Sequence, residues 1–367
     1  MENNLLVSTF EVRKESWSEI RIHTDSIATE LAPDEVLLKV DRQALTANNI
    51  SYASSGDSLK YWEFFPAEDG WGRIPAMGWS EVIASAHPQV QVGERVWGFT
   101  PYATHHKIVA GKVNPFSFSD VSAHRDGHAP VYCQFDRAAT NPIYEFERED
   151  QDSLLRGLFM TSWLVEDFID VNDLFGAQAC LITSASSKTS IALGHSVKRR
   201  GKLTSIAITS QGNVAFCQSL GCYDRVVSYD QLASLDATQA AVLVDMAGNA
   251  KVISELHQHF AENLMHSCRI GATHHSEMGS LKGLPGAKPQ FFFAPSHIRE
   301  RSAELGAQVF MQLLAVDYAG FRRFCDSWMS VAQSFGAEAT VEAYQAVLAG
   351  RADPVAGQIV SLSARGE

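Results

Sequence analysis

The pattern of apolar and polar positions changes character once along this chain. Before residue 150, short apolar and β-branched runs are separated by turn residues, and residues 5–10, 35–40, 81–85 and 94–99 read as strands. This part is therefore predicted to be mostly β, a small barrel or a sandwich. Residues 53–75 hold glycines, prolines and the aromatics Tyr61, Trp62, Phe64, Phe65 and Trp71. They read as a long, partly ordered loop, and such loops often carry function.

Beyond residue 150 the period lengthens and strands alternate with helices. Residues 154–169 read as a helix, 179–183 as a buried strand, and 187–200 as a helix closed by Arg199, Arg200 and Gly201. Strand 203–208, helix 213–220, strands 225–227 and 241–244 and helix 249–260 follow, then a strand ahead of Ile270. This spacing implies parallel βαβ units and a doubly wound sheet. After Pro289 the pattern predicts an aromatic run, helices over 298–314 and 318–335, and a tail over 341–362 of helix, turn and strand. The boundary between the two patterns divides the chain near residue 150.

Composition narrows the classes. Apolar residues make up 46% of the 367 positions and charged residues 20%, which excludes a mainly disordered chain. A net charge of −12 argues against broad nucleic-acid binding and against docking on an anionic membrane. The six cysteines are scattered without a CxxC pair, which points to a reducing compartment. No basic and apolar leader opens the sequence, and no run reaches the length of a spanning helix, so the expectation is a cytoplasmic protein.

Several segments, weak alone, are informative in their shared order. Ala47 to Tyr52 followed by Ser55-Gly56, Val92-Gly93-Glu94-Arg95-Val96, Leu220 to Val226 with Tyr229-Asp230, Val244-Asp245-Met246-Ala247-Gly248, and the closing Tyr344 to Leu362 run through the chain. Together they resemble the medium-chain dehydrogenase/reductase superfamily, in its zinc-free quinone oxidoreductase-like branch. The second and third are similar to that branch's "VGDRV" turn and "LGADRVINYD" stretch. The chain is also close to a bacterial group of this superfamily known only as a domain of unknown function. The resemblance implies a GroES-like β domain over 1–150, completed by 327–367, plus a Rossmann domain over 151–326, an active site in the cleft between them, and a homodimer.

The family's glycine-rich phosphate turn falls where this chain reads Ser184-Ala185-Ser186-Ser187-Lys188-Thr189-Ser190, with serine at 184, 187 and 190 in the glycine slots. Glycine there permits a tight turn, close approach to pyrophosphate and close helix–strand contact. A helix N-terminus with hydroxyls and Lys188 still suits a phosphate. Equally, serines cap helices without binding anything. The next strand end, Ile208-Thr209-Ser210-Gln211-Gly212-Asn213, has no carboxylate for the ribose hydroxyls. Thr209, Ser210 and Asn213 thus favour NADP over NAD, or form an ordinary polar loop.

No metal site is expected. The slot for a zinc-binding histidine reads Gly78-Trp79-Ser80, and no cysteine precedes Cys133. His124 and His128 are four apart but lie beside Gly127 and Pro130, His105-His106 and His274-His275 are adjacent pairs that diverge in a strand, and His257 and His259 have the wrong helical spacing. The absence of a G-x-S-x-G elbow speaks against serine hydrolysis.

The resemblance gives Tyr52 the place of a cleft tyrosine that donates a hydrogen bond or proton, while Asn48 or Asn49 orients the substrate carbonyl or the nicotinamide. The other readings are a packing aromatic and two turn residues. Phe291-Phe292-Phe293-Ala294-Pro295 falls where the family places a loop near the nicotinamide, with Phe292 as an aromatic wall, although an apolar run of this length more often makes a buried strand. Arg299 and Arg301 suit a phosphate or carboxylate, or are exposed helix charges. Two functional readings follow. One is a zinc-independent NADP(H)-dependent oxidoreductase acting on a quinone, enone or other small carbonyl compound. The other is a catalytically altered relative that binds a ligand or protein partner without hydride transfer.

Overall fold

A computed structural model describes residues 4–246, 248–270, 281, 283–351 and 353–366. The chain divides into two compact units, Met1–Arg156 with Met329–Glu367, and Gly157–Trp328.

The first unit is β-rich. Its elements are β1 (Asn4–Arg13), β2 (Ser16–Ala28), β3 (Glu35–Leu45), helix α1 (Ala47–Ser54), β4 (Trp71–Gly72), β5 (Pro75–Ser85), β6 (Arg95–Pro101), β7 (His105–Gly111), β8 (Ser117–Asp120), β9 (Gln134–Arg137) and the start of helix α2 (Glu149–Val171). Strands β3, β5, β6, β9, β8 and β7 pair in that order, and β7 returns to pair with β3, so the sheet closes into a barrel. Closure removes the exposed edges an open sheet would present. The barrel fills with Val36, Leu38, Val82, Val96, Ile108, Phe118 and Phe135. A separate sheet, β2-β1-β4, packs through Phe10 and Val12 into a second cluster with Trp62, Ile74 and Tyr102. Trp62 comes from the predicted loop, and Phe64 and Phe65 beside it are also buried. That segment contributes apolar core, with a short 3-10 turn at Tyr61–Glu63.

The turn Val92 to Val96 presents Arg95 to a buried carboxylate. Glu149, wholly buried at the start of α2, takes Arg95 Nε at 2.8 Å and Arg95 Nη2 at 2.6 Å, and Tyr144 Oη donates to it at 2.8 Å. Arg95 also reaches Asp41 at 2.5 Å. Burial raises Tyr144 to about 12, and its bond to Glu149 adds to the effect.

The second unit alternates β10 (Ala179–Ile182), α3 (Lys188–Arg200), β11 (Thr204–Thr209), α4 (Val214–Ser219), β12 (Arg225–Ser228), β13 (Ala241–Asp245), α5 (Ala250–Phe260), β14 (Leu264–Arg269), β15 (Pro289–Phe291), α6 (Ala294–Leu305) and α7 (Ala307–Cys325). The strands are parallel and ordered β12-β11-β10-β13-β14-β15. This is the Rossmann order, reversing direction at β10 and β13. The predicted α/β class with a doubly wound sheet and a β-rich domain is what the structure has.

Three expectations are corrected. The helix predicted over 298–314 breaks at Gly306, whose φ of 83° ends α6 and starts α7. α7 then runs unbroken through 315–317. Residues 330–335, predicted as helix, are strand β16 (Ser330–Phe335), paired in parallel with β17 (Ala356–Ser361) in the first unit, with helix α8 (Ala337–Leu348) between them. Their alternation carries no helical stripe, and pairing to β17 decides their state. Finally, Phe291 at the end of edge strand β15 and Phe293 before α6 are each 54% exposed, so the run is not a buried strand.

All six cysteines are buried free thiols: Cys133 in the first unit, and Cys180, Cys217, Cys222, Cys268 and Cys325 in the second. Burial pushes Cys217 up to about 11 and Cys222 and Cys268 up to about 12. No helix among the described residues is long and apolar enough to cross a membrane.

Candidate functional site

The serine turn lies at the carboxyl end of β10. In open α/β sheets ligands bind at this edge, beside the point where the strand order reverses. Ser184 has φ 49°, in the left-handed region. That is the conformation for which glycine is usual, and here a serine meets it. Ser187 N–H closes the turn on Ser184 O at 2.8 Å. Ser187 then caps α3, its hydroxyl accepting from Ser190 N–H at 3.2 Å. The Ser187 hydroxyl donates to Ser190 Oγ at 2.9 Å, and the Ser190 hydroxyl donates to Thr183 O at 2.8 Å. Ser190 is fully buried, so it serves the helix–strand contact of the third glycine slot. Lys188 and Thr189 form the first turn of α3, where a helix directs N–H groups and a positive dipole end outward.

Ser186 is tied to the neighbouring strand end: Asn213 Nδ2 donates to its Oγ at 2.9 Å. Ser210 is exposed beside them, and Thr209 is buried at the end of β11. The structure thus brings Ser184, Ser186, Ser187, Ser190 and Asn213 into one hydrogen-bonded edge. A groove of about 650 Å³ lies along the ends of β12 and β13, lined by Tyr229, Asp230, Asn249, Lys251, Glu255 and His259.

Two residues that sequence reasoning missed hold this edge in shape. Tyr223 Oη donates to Ala185 O within the turn at 2.8 Å. Its ring fills the space over Gly194 of α3, where an added Cβ would lie 2.3 Å from a ring carbon. Asp245, at the end of β13, accepts from the Thr183 hydroxyl at 2.7 Å and from Gly248 N–H at 2.7 Å. A tyrosine in the place of the family's alanine-aspartate step was the available signal for the first.

Tyr52, Asn48 and Asn49 all lie on α1 in the first unit. Asn49 closes a capping box: its Oδ1 accepts from Thr46 N–H at 2.8 Å, and its Nδ2 donates to Pro75 O at 2.9 Å. Asn48 has no such ties through its side chain among the described residues, and its N–H bonds Thr46 Oγ1. Tyr52 stands in an aromatic group, 4.6 Å from the Tyr61 ring and 5.7 Å from Phe99. Burial, with Tyr132 nearby, raises its pKa far above the ordinary phenol value, so the hydroxyl keeps its proton.

Phe292 belongs to the second unit, against Phe168 at 5.4 Å and His297 at 5.9 Å. Arg301 meets a carboxylate of its own chain: Asp167 accepts its Nε at 2.8 Å and also bonds His297 Nε2 at 2.8 Å. Burial alone would raise Asp167, but the bonds from His297 and Arg301 hold it below the usual value. Arg299 is exposed. Among the described residues no group of three or more His, Cys, Asp or Glu side chains is arranged to hold a metal ion. His257 instead bonds Pro285 O and Ser267 Oγ, and His259 bonds Leu235 O. The His274-His275 pair lies outside the described residues.

The fold is shared with solved structures across its whole length. CurA from Vibrio vulnificus in complex with NADPH superposes with a TM-score of 0.61 at 15% identity, covering 98% of each chain. The Etr1p/NADP/crotonyl-CoA complex gives 0.58 at 14% identity, covering 97% of this chain and 100% of that one. The human synaptic vesicle membrane protein VAT-1 homolog-like protein gives 0.55 at 11%, covering 98% and 99%. These likenesses establish the two-part architecture, a Rossmann sheet with a GroES-like β domain, that the resemblance in the sequence implies. No curated protein sequence matches the chain. The profile of the family described as "Protein of unknown function (DUF2855)" matches residues 43–353, and the chain belongs to that family.

Proposed function

We propose that the protein is a zinc-independent, NADP(H)-dependent oxidoreductase of a quinone, enone or similar small carbonyl compound. The observation that carries this reading is the backbone of the serine turn. Ser184 holds the left-handed conformation although every glycine slot is serine. Holding a non-glycine residue there costs energy, of order 1 kcal/mol, which a mere helix cap does not require. The residues present fit a dinucleotide: the α3 N-terminus and Lys188 would hold the pyrophosphate, and Ser210 and Asn213 would meet a 2′-phosphate without carboxylate repulsion. The solved neighbours described with NADPH or with NADP and crotonyl-CoA support the same cofactor and a conjugated carbonyl substrate.

A bound NADPH supplies hydride from its nicotinamide ring. The protein's part is to hold the acceptor and to steady the negative charge developing on the carbonyl oxygen. Tyr52 keeps its proton and so serves as the donor to that oxygen. Asn48 orients the carbonyl, and Phe292 offers a flat wall. Asn49 acts on α1 rather than on substrate.

One observation favours the second reading, a relative that binds without hydride transfer. The Ser187 and Ser190 hydroxyls are used within the turn rather than offered to a phosphate. Calorimetric titration with NADPH and NADH decides between them, followed by the decay of nicotinamide absorbance with a quinone and an enone. NADPH binding that weakens in Lys188→Ala, with turnover, supports the oxidoreductase. Binding without turnover of either acceptor refutes the proposed substrate class, and no binding refutes the cofactor. A homodimer is part of the same proposal, tested by sedimentation.

A further inference from the structure

The first unit contains a buried cation with more donors than its surroundings use. Arg125 is 4% exposed, and its Nε donates to Asp120 Oδ2 at 2.7 Å. Asp120 is otherwise consumed, accepting from Ser122 Oγ at 2.5 Å and from Ser122 N–H at 3.1 Å. Phe65 covers the guanidinium face at 4.5 Å, and Phe64 lies 5.4 Å away. The two terminal nitrogens, Nη1 and Nη2, are buried with no partner among the described residues. A guanidinium stays charged in any protein setting, so these donors cannot be silenced by losing a proton. Buried donors in folded proteins are almost always matched by acceptors.

Three histidines stand around this group. They are His106 on β7, His124 in the turn Ala123–Arg125 and His128 just beyond it. The Nε2 atom of each is buried without a hydrogen-bond partner among the described residues. His128 stacks on Phe64 with centroids 4.1 Å apart, and His106 meets the Phe65 ring edge-on at 5.2 Å. Burial lowers the pKa of all three, and Arg125 opposes their protonation further. They are neutral near pH 7, and each Nε2 can donate or accept according to tautomer. Glu63, 4.0 Å from His128 Nε2, is half exposed and pairs with Lys60 at 3.4 Å. A fixed cation among the three rings opposes a metal ion.

We propose that the Nη1–Nη2 edge of Arg125, flanked by His106, His124 and His128, binds the carboxylate of a small planar molecule. With Nε taken by Asp120, the terminal edge presents two parallel N–H bonds spaced for two carboxylate oxygens. Phosphate also takes this fork in two bonds, so the preference for a carboxylate rests on the flat apolar body it carries. The imidazoles supply further donors, and the buried Phe64 and Phe65 rings make the surroundings apolar. The site does not depend on the proposed oxidoreductase activity, because binding is read without nucleotide.

The test is calorimetric titration of the full-length protein, without NADPH, with benzoate, its neutral isostere benzamide and inorganic phosphate at fixed ionic strength. Benzoate is expected to bind saturably and at least about tenfold more tightly than benzamide or phosphate, the size of one charge-assisted hydrogen bond. Arg125→Gln removes the preference. Arg125→Lys, which keeps the charge on Asp120 and loses the fork, leaves binding but at least about tenfold weaker. His128→Phe keeps the ring stack and weakens benzoate alone, which holds the test open if Arg125→Gln fails to fold. Benzoate binding no better than benzamide, tighter binding of phosphate, absence of saturable benzoate binding, or a preference unchanged in Arg125→Lys and His128→Phe would overturn the assignment.

Discussion

Replacing Gly194 by alanine should destabilise this protein, although alanine is the better helix former. An ideal Cβ at Gly194 would lie 2.3, 2.8 and 3.0 Å from three atoms of the Tyr223 ring. Carbon atoms settle at about 3.5–4.0 Å, so the ring must retreat by more than about 1 Å. Tyr223 is 7% exposed and its hydroxyl donates to Ala185 O at 2.8 Å, so it cannot retreat and keep that bond. Overpacking costs about 1–3 kcal/mol. The stranded carbonyl of buried Ala185 adds about 1–3 kcal/mol. Helix propensity returns at most about 1 kcal/mol. The net loss is then centred on about 3 kcal/mol, read as a shift of the urea midpoint with an unchanged slope. Because Ala185 is part of the serine turn, NADPH affinity should fall with stability. Gly320→Ala is the control: nothing lies within 4 Å of its added Cβ in α7, and it should gain up to about 1 kcal/mol. If Gly194→Ala proves as stable as the parent, the Tyr223 brace does not hold the turn.

Other outcomes follow from described contacts. Glu149→Gln should cost about 3 kcal/mol of unfolding free energy by denaturant titration, because Arg95 then lacks its buried partner while Asp41 still pairs with it. His195 is lowered to about 4 by burial, with Arg199 adding to the shift. Between pH 6.5 and about 4 the unfolded chain therefore binds a proton that the native protein does not. Stability should fall as pH drops through that window, by up to about 1.4 kcal/mol per pH unit, and His195→Gln should flatten the fall in thermal denaturation scans. Tyr52→Phe should lower NADPH-dependent turnover by about 10²-fold with nucleotide affinity and stability unchanged, and unaltered turnover would make Tyr52 a packing aromatic.

The second unit was legible because buried parallel strands are continuous apolar runs and each helix has its own punctuation, such as Ser187 before α3 and Gly201 after it. The β-rich unit was less so. β2, β4, β7, β8 and β9 went unpredicted, because β2 is exposed or half-exposed throughout and the others are short pieces whose state depends on long-range pairing. The serine turn could be placed by its position after β10, but its conformation could not: serine has no preference for a positive φ, and the Tyr223 bond that helps hold it comes from elsewhere in the fold. Asn49 illustrates the reverse case, since Thr46 three residues earlier is a visible cap partner that a catalytic reading passes over. The histidines around Arg125 were weighed only as metal ligands by spacing, whereas their meaning lies in which nitrogens remain unmatched, and that depends on Asp120 and Phe65.

The six buried thiols also make the molecule its own stopwatch. A thiol reagent reacts only with a thiolate, and these groups are screened by burial and held protonated near neutrality. Modification therefore waits for the surrounding structure to open, and its rate reports how often that happens. Cys133 keeps time for the β-rich unit and the other five for the Rossmann unit, so mass spectrometry of partly labelled protein would read the opening of each separately. A dinucleotide bound to the second unit should slow five of the clocks and leave the sixth running at its own rate.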